Sequence, residues 1–276
     1  MKRLFRVLFF LFAVLYVIIH FFDSTEPEAP VVEQVDGDYD MLDTLGQYPS
    51  MIHHRVWKDL DESEHAVTFA IREADKEQSF KYRDEVNVVE DGTEKGFWHN
   101  LYLDLYDHDK KPLQSLSDSL MTLAIEDNLQ EGALVYATVS MVQDIRYNYI
   151  LHSDSCFTYS DYPCVPLQRY GVLSPVEFMY SLAGDCDTRT LLLFTLLKNL
   201  GYDPIIVNSY QYKHSMLAVD LPTTGDYFIH KGRKFYFWET TARGWLPGML
   251  PPDMNNPDYW TIILDYEFQA DPTRTY

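Results

Sequence analysis

Three kinds of hydrophobic pattern divide the chain. From Val7 to Phe22 apolar residues run almost unbroken over about 16 positions, interrupted only by His20. Arg55-Val56-Trp57-Lys58 and Val67-Thr68-Phe69-Ala70-Ile71-Arg72 are strand-like and separated by an acidic turn, the second alternating cleanly with the two-residue period of a half-buried strand. Strand or irregular structure is expected to continue over Phe80 to Val89 and Trp98 to Tyr106. The period then changes. Leu113, Leu116, Leu120 and Leu123 follow Pro112 at helical spacing, and a second helix is predicted from about Glu131 to Tyr147, with Leu134, Thr138, Met141 and Ile145 toward the core.

The most apolar helix follows Gly184-Asp185-Cys186-Asp187-Thr188 and ends at Leu200-Gly201. Asp185 is a good N-cap, because its carboxylate can accept from first-turn amides. Gly201 is a good stop, because the chain must turn left-handed there. Between them Leu191, Leu192, Leu193, Phe194, Leu196, Leu197 and Leu200 cover nearly the whole circumference, which predicts the buried centre of a domain. Cys186 falls in the first turn, where free amides and the helix dipole favour negative charge; that lowers a thiol pKa and makes a nucleophile. A small buried hydrophobe is the other reading of the same cysteine.

Two strand-like runs come next, His214 to Asp220 and Arg233 to Glu239, joined by a linker with Pro222, Thr223, Thr224, Gly225 and Gly232 that reads as a hairpin loop. Pairing Asp220 with Arg233 puts Ala218 opposite Phe235, Met216 opposite Phe237 and His214 opposite Glu239. One apolar face then lies on the Cys186 helix and ends in an imidazole–carboxylate pair. A slip of one residue would send His214 and Glu239 to opposite faces. A surface ion pair at a sheet edge is the alternative.

Gly184-Asp185-Cys186-Asp187, the helix closed by Leu200-Gly201-Tyr202-Asp203, Lys213-His214, and Trp238-Glu239-Thr240-Thr241 followed by Gly244-Trp245 resemble the transglutaminase-like superfamily, in its bacterial and archaeal branch with a Cys-His-Glu triad. Val142-Gln143-Asp144-Ile145-Arg146-Tyr147 and Ser174-Pro175-Val176-Glu177 are similar to that branch too. The likeness spans roughly Arg55 to Pro251 and is sharpest between Gln143 and Gly248. It implies an α+β fold, a papain/transglutaminase-like core with a buried Cys-bearing helix packed on an antiparallel sheet; the apolar run at 7–22 places an N-terminal transmembrane helix before it. It also implies the roles: Cys186 attacks a carbonyl, His214 is its base, and Glu239 orients the His. Many members carry Asp in the third place, and Thr188 stands where a second acidic residue is frequent. In papain-like thiol enzymes a side chain upstream of the Cys donates to the oxyanion beside the Cys amide; Gln143 is the candidate, and a solvated helix face accounts for it equally well.

At the N-terminus Lys2, Arg3 and Arg6 precede the apolar run, while Asp23, Glu26 and Glu28 follow it. The positive-inside rule leaves the N-terminus in the cytoplasm and the rest outside. Bulky residues and the lack of a small-x-small site favour an uncleaved signal anchor over a cleaved secretory signal. The expected organisation is an anchor at 1–22, an acidic linker at 23–48 containing Pro27 and Pro30, and one domain at 49–276. That domain has a β-rich part to about 110 and a catalytic core from about 111, closed by a last strand over Tyr259 to Tyr266.

Cys156 and Cys164 lie in an aromatic, turn-rich segment with seven residues between them. Outside the cytoplasm they can close a loop by a disulfide worth roughly 2–3 kcal/mol, which leaves Cys186 as the odd free thiol. Tyr159, Tyr162 and Tyr170 either line a cleft or pack under the loop. Adjacent His53 and His54 point apart on a strand and make a weak metal site. No HExxH, paired CxxC or Gly-rich phosphate loop occurs, and no cofactor is expected. A net charge of −20 argues against nucleic acid as a partner.

The resulting expectation is a membrane-anchored, extracytoplasmic thiol hydrolase that cleaves a polypeptide or other amide through a Cys186 thioester. His214 either takes the thiol proton or already holds it in an imidazolium–thiolate pair. An amine in place of water would make the same site a transamidase. A non-catalytic binding or assembly module is the rival from another class, and a structural metal centre a third reading.

Overall fold

Alternation decides the first two elements. β1 (Ser50–Lys58) and β2 (Glu64–Arg72) form an antiparallel hairpin with Ser50 opposite Arg72 and Lys58 opposite Glu64. His65, Val67, Phe69 and Ile71 of β2 point inward and their neighbours outward. The computed structural model describes residues 49–88, 92–156 and 163–265.

The strand or irregular structure expected over Phe80 to Val89 and Trp98 to Tyr106 is helical over 80–85 and over all of the second stretch: α1 (Glu73–Glu85) and α2 (Glu94–Asp109). Thr93 caps α2 by accepting from the Gly96 amide at 2.9 Å. The buried Leu101, Tyr102, Leu105 and Tyr106 stand one helical turn apart in pairs. Aromatic residues suggest strands only weakly, and here packing overrides them. α3 (Gln114–Glu126) and α4 (Glu131–Gln143) form near the predicted positions. The β1–β2 hairpin docks on α4, where the Trp57 indole donates to the Ala137 carbonyl at 2.9 Å. α4 stops earlier than expected, and the chain passes into β3 (Tyr149–Ile150), paired in parallel with β4 (Cys164–Val165). The Cys156–Cys164 disulfide is formed, with Cα atoms 5.9 Å apart, and Cys186 is the free cysteine.

Ser174 opens α5 (Pro175–Ser181) with a full capping box, its hydroxyl accepting from the Glu177 amide and the Glu177 carboxylate from the Ser174 amide. α6 (Cys186–Asn199) is buried on all sides, with Leu191 to Phe194, Leu196 and Leu197 wholly covered. It ends in a Schellman motif: Tyr202 donates to the Leu197 carbonyl and Gly201 to that of Lys198, while Gly201 adopts φ 91°.

Beside α6 lies an antiparallel sheet of β5 (Ile205–Ser209), β6 (His214–Val219), β7 (Tyr227–His230), β8 (Arg233–Trp238) and β9 (Thr261–Leu264), in the order β7-β8-β6-β5-β9. The segment expected to be loop contains β7, which turns into β8 through Lys231 and Gly232 at φ 49° and 78°. Two consecutive left-handed residues give the turn that suits a right-twisted hairpin. The β6–β8 register also needs correction. Ala218 faces Phe237, not Phe235, so the ladder is shifted by two residues. The face assignment is reversed as well. Leu217, Val219 and Trp238 join the core around α6, while Met216, Ala218, Phe235 and Phe237 pack with Leu250 and Trp260 on the other side. Both faces of these strands are buried and apolar, so alternation could not distinguish them.

The expected fold class is overturned in its membrane part. The structure is a mixed α/β arrangement of helices on an antiparallel sheet, and among the described residues no helix is long and apolar enough to cross a membrane. The anchor and linker assigned to 1–22 and 23–48, and the tyrosines Tyr159 and Tyr162, lie outside the described residues. Tyr170 packs rather than lining a cleft: its ring meets Phe97 edge-on and its hydroxyl donates to the Val86 carbonyl at 2.8 Å.

Candidate active site

Cys186 opens α6 because Asp185 caps it, the carboxylate accepting from the Thr188 amide at 3.2 Å. A side chain at Gly184 would crowd this turn, since a Cβ there would come to 3.0 Å from the Thr188 methyl and 3.2 Å from the Phe178 ring, and those side chains would have to give way. Thr188 itself ties the preceding loop to the helix, its hydroxyl accepting from the Leu173 amide at 3.1 Å.

His214 begins β6 after a tight turn from β5 in which Lys213 adopts φ 51°, a left-handed value uncommon for a residue with a side chain. Its Nε2 meets the Glu239 carboxylate at 2.7 Å. The two-residue register shift makes this a diagonal pair, but a shift of two keeps both residues on one face. Glu239 lies just past β8, and its other oxygen accepts from the Thr240 amide at 2.8 Å and from the Thr241 amide and hydroxyl at 2.9 and 2.7 Å. Burial alone would raise this carboxyl. The bond from His214, its charge and the Thr241 donors outweigh that and hold Glu239 below its ordinary value.

The Cys186 sulfur reaches β6 through the backbone, accepting from the Ser215 amide, the residue next to His214. His214 lies on the strand face of Met216 and Ala218, where its ring meets Trp260; the groups that act on the Cys186 thiol from this side are the Ser215 amide and the Glu239 charge. Among the described residues, no direct hydrogen bond joins Cys186 to His214. The thiol differs from expectation. Burial first, then Asp187 and Asp185, push it well above its ordinary value, against the Ser215 amide. The helix dipole points the other way, but burial and the Asp187 carboxylate oppose it, while burial and Asp187 push the Asp185 carboxyl itself up to about 8. Asp187 is itself held by the hydroxyls of Ser215 and Tyr102, the latter at 2.7 Å. The resting sulfur is therefore a thiol, and the preformed ion pair is the less favourable of the two expected states.

Gln143 does not serve as the expected oxyanion donor. Its Nε2 donates to the carbonyls of Glu239 at 2.7 Å and Trp245 at 3.1 Å, so both amide protons are taken. It clamps the strand end that carries Glu239 to the turn containing Gly244. Tyr147 takes a position nearer the sulfur: the Cys186 backbone amide donates to its hydroxyl oxygen. Burial first, then the charges of Cys186 and Asp185, raise this phenol far above its ordinary value, so it stays neutral. A backbone bridge between Tyr147 and Gly184 fixes its place. Tyr147 belongs to the same sequence motif as Gln143, which the likeness to papain-like thiol enzymes singles out as the donor.

His53 and His54 turn to different partners, the Tyr180 carbonyl and the Thr68 hydroxyl. Among the described residues no three His, Cys, Asp or Glu side chains are grouped to hold a metal ion. Compared with known proteins, the chain matches no protein-family model, no curated protein and no solved structure.

Proposed function

We propose that this protein is a thiol hydrolase that cleaves an amide through a Cys186 thioester, working in an oxidising compartment. The observation that carries the reading is the 2.7 Å His214–Glu239 bond, one residue from the amide that holds the Cys186 sulfur. The resemblance to transglutaminase-like enzymes supports the same three roles, and the Cys156–Cys164 disulfide suits the compartment.

Because burial and neighbouring carboxylates favour the thiol, the nucleophile forms as its proton passes to His214. Sulfur bonds to the carbonyl carbon, and the carbonyl electrons move to oxygen. Glu239, ionised and bonded to Nε2, orients the ring and stabilises its charge, which leaves Nδ1 for proton transfer. The Cys186 amide donates to the Tyr147 hydroxyl at rest, so it serves the oxyanion only by exchanging that phenol oxygen for the substrate's. On collapse the carbon–nitrogen bond breaks and His214 gives its proton to the amine. Water then loses a proton to His214 and adds to the thioester, the carbon–sulfur bond breaks, and the thiol is restored as the acid leaves.

The test is alkylation of the purified chain by iodoacetamide across pH, with mass mapping of the modified cysteine. The expected result is labelling of Cys186 that His214→Ala abolishes. The raised thiol favours one second reading, a binding or assembly module that does no chemistry, and sluggish, His214-independent labelling would select it.

A further inference from the structure

Arg189 lies one turn into α6, fully buried, three residues beyond Cys186. Its Nε donates to the Gly184 carbonyl at 3.0 Å, Nη1 to the carbonyls of Val142 at 2.7 Å and Thr240 at 3.4 Å, and Nη2 to that of Ile145 at 2.5 Å. Every one of these acceptors is a neutral backbone oxygen. Among the described residues no carboxylate bonds to it, so a whole positive charge is buried without an ion partner. Such a charge costs several kcal/mol to desolvate and is retained only where its surroundings repay it. The carbonyls it holds belong to the segments that build the site. Gly184 precedes the cap of Cys186, Val142 and Ile145 end the helix beside Tyr147, and Thr240 follows Glu239. The guanidinium also stands 5.6 Å from the Tyr147 ring and 5.8 Å from that of Phe178.

The charges around Cys186 explain the repayment. Asp187 lies on its own helix and Glu239 past β8 as carboxylates, the capping Asp185 is pushed up to about 8 by burial and Asp187, and Tyr147 and Tyr102 approach as neutral phenols. Against these stand His214, from β6, and Arg189. Formation of a thiolate or oxyanion adds one more negative charge to this group. Burial lowers the guanidinium to about 10, with Tyr147, Asp185, Glu239 and Cys186 opposing that fall, so it remains charged at neutral pH.

We propose that Arg189 is a positioning residue of the Cys186 site, fixing the backbone around the nucleophile through its carbonyl bonds and supplying the buried positive charge against which the thiolate forms. This rests on the thiol-hydrolase reading. Arg189 touches neither the sulfur nor any substrate; it acts through the field and the backbone.

The test is the pH midpoint of Cys186 alkylation by iodoacetamide, a substitution that forms no oxyanion, measured in wild type, Arg189→Met, Arg189→Gln and Arg189→Lys. Arg189→Gln keeps two amide donors for the carbonyls while removing the charge. In either neutral variant the midpoint is expected to rise by about one pH unit, a tenfold slower reaction below it, whereas Arg189→Lys stays close to wild type. A folded neutral variant with the wild-type midpoint overturns the proposal. If neither neutral variant folds, Arg189→Lys decides: a midpoint displaced by a full unit overturns it, and an unchanged one supports it. Failure of the thiol-hydrolase reading looks different, since wild-type Cys186 would then react independently of His214.

Discussion

Arg83 and Arg189 are both wholly buried, yet they meet the cost of a desolvated charge in opposite ways. Arg83, on α1, grips Glu177 with Nε at 2.7 Å and Nη2 at 3.0 Å, and adds the Gln168 side chain at 2.9 Å and the Arg169 carbonyl at 3.3 Å. Its charge is cancelled locally by a forked ion pair, with geometry that suits a guanidinium. Arg189 has four carbonyl bonds and no such partner among the described residues. The first arrangement closes a joint between α1, α5 and the loop before α5. The second holds together the backbone segments around Cys186.

Removing Glu177 should separate these two regions most sharply. Glu177→Ala strands the Arg83 charge and is expected to cost about 3–5 kcal/mol in urea unfolding, while a double replacement by Arg83→Met and Glu177→Leu recovers most of that loss. The alkylation midpoint of Cys186 should not move in the double variant. If it does, the two arginines are not independent.

The Cys156–Cys164 loop leads into the residues that collar Arg83, so its bond tests the same joint more gently. Cys156→Ser with Cys164→Ser should lower stability by about 2–3 kcal/mol and leave Cys186 reactivity intact. Gln143→Ala removes the clamp on the Glu239 and Trp245 carbonyls and is expected to cost about 1–3 kcal/mol. A loss of activity in the range of ~100-fold or more with unchanged stability would instead restore Gln143 as an oxyanion donor.

The smallest expected effect is on the acid side of the stability curve. Glu239 has a folded pKa below its ordinary value of 4.5, chiefly because His214 outweighs its burial. Its contribution is therefore present above that value and is lost as pH falls from there through the lower folded value. Glu239→Gln should flatten this slope in the acid unfolding curve while leaving the slope above neutral pH unchanged. A steeper acid slope would mean that burial, not His214, dominates at Glu239.

Local chemistry accounts for what could be read ahead of the structure. The Asp185 cap, the Gly201 stop, the strand alternation of β2 and the Ser174-x-x-Glu177 box are decided by neighbours in the chain, so the sequence carries them directly. The pairing of His214 with Glu239 was legible for a related reason. With side chains on a period of two, an error of two residues in register still leaves both on one face. The helices α1 and α2 were missed because their aromatic residues suit strands as well, and β7 because four residues give too little pattern.

The sequence by itself determined which residues could do chemistry and where helices begin and end, because capping and periodicity act within a few residues. Only the tertiary structure decided what those residues experience. Which face of β6 meets α6, whether Gln143 is free to donate, how two aspartates and burial hold the Cys186 thiol, and that Arg189 lacks a carboxylate partner all depend on segments distant in the chain. Desolvation and Coulomb energies depend on distance through space, and no local pattern encodes that distance.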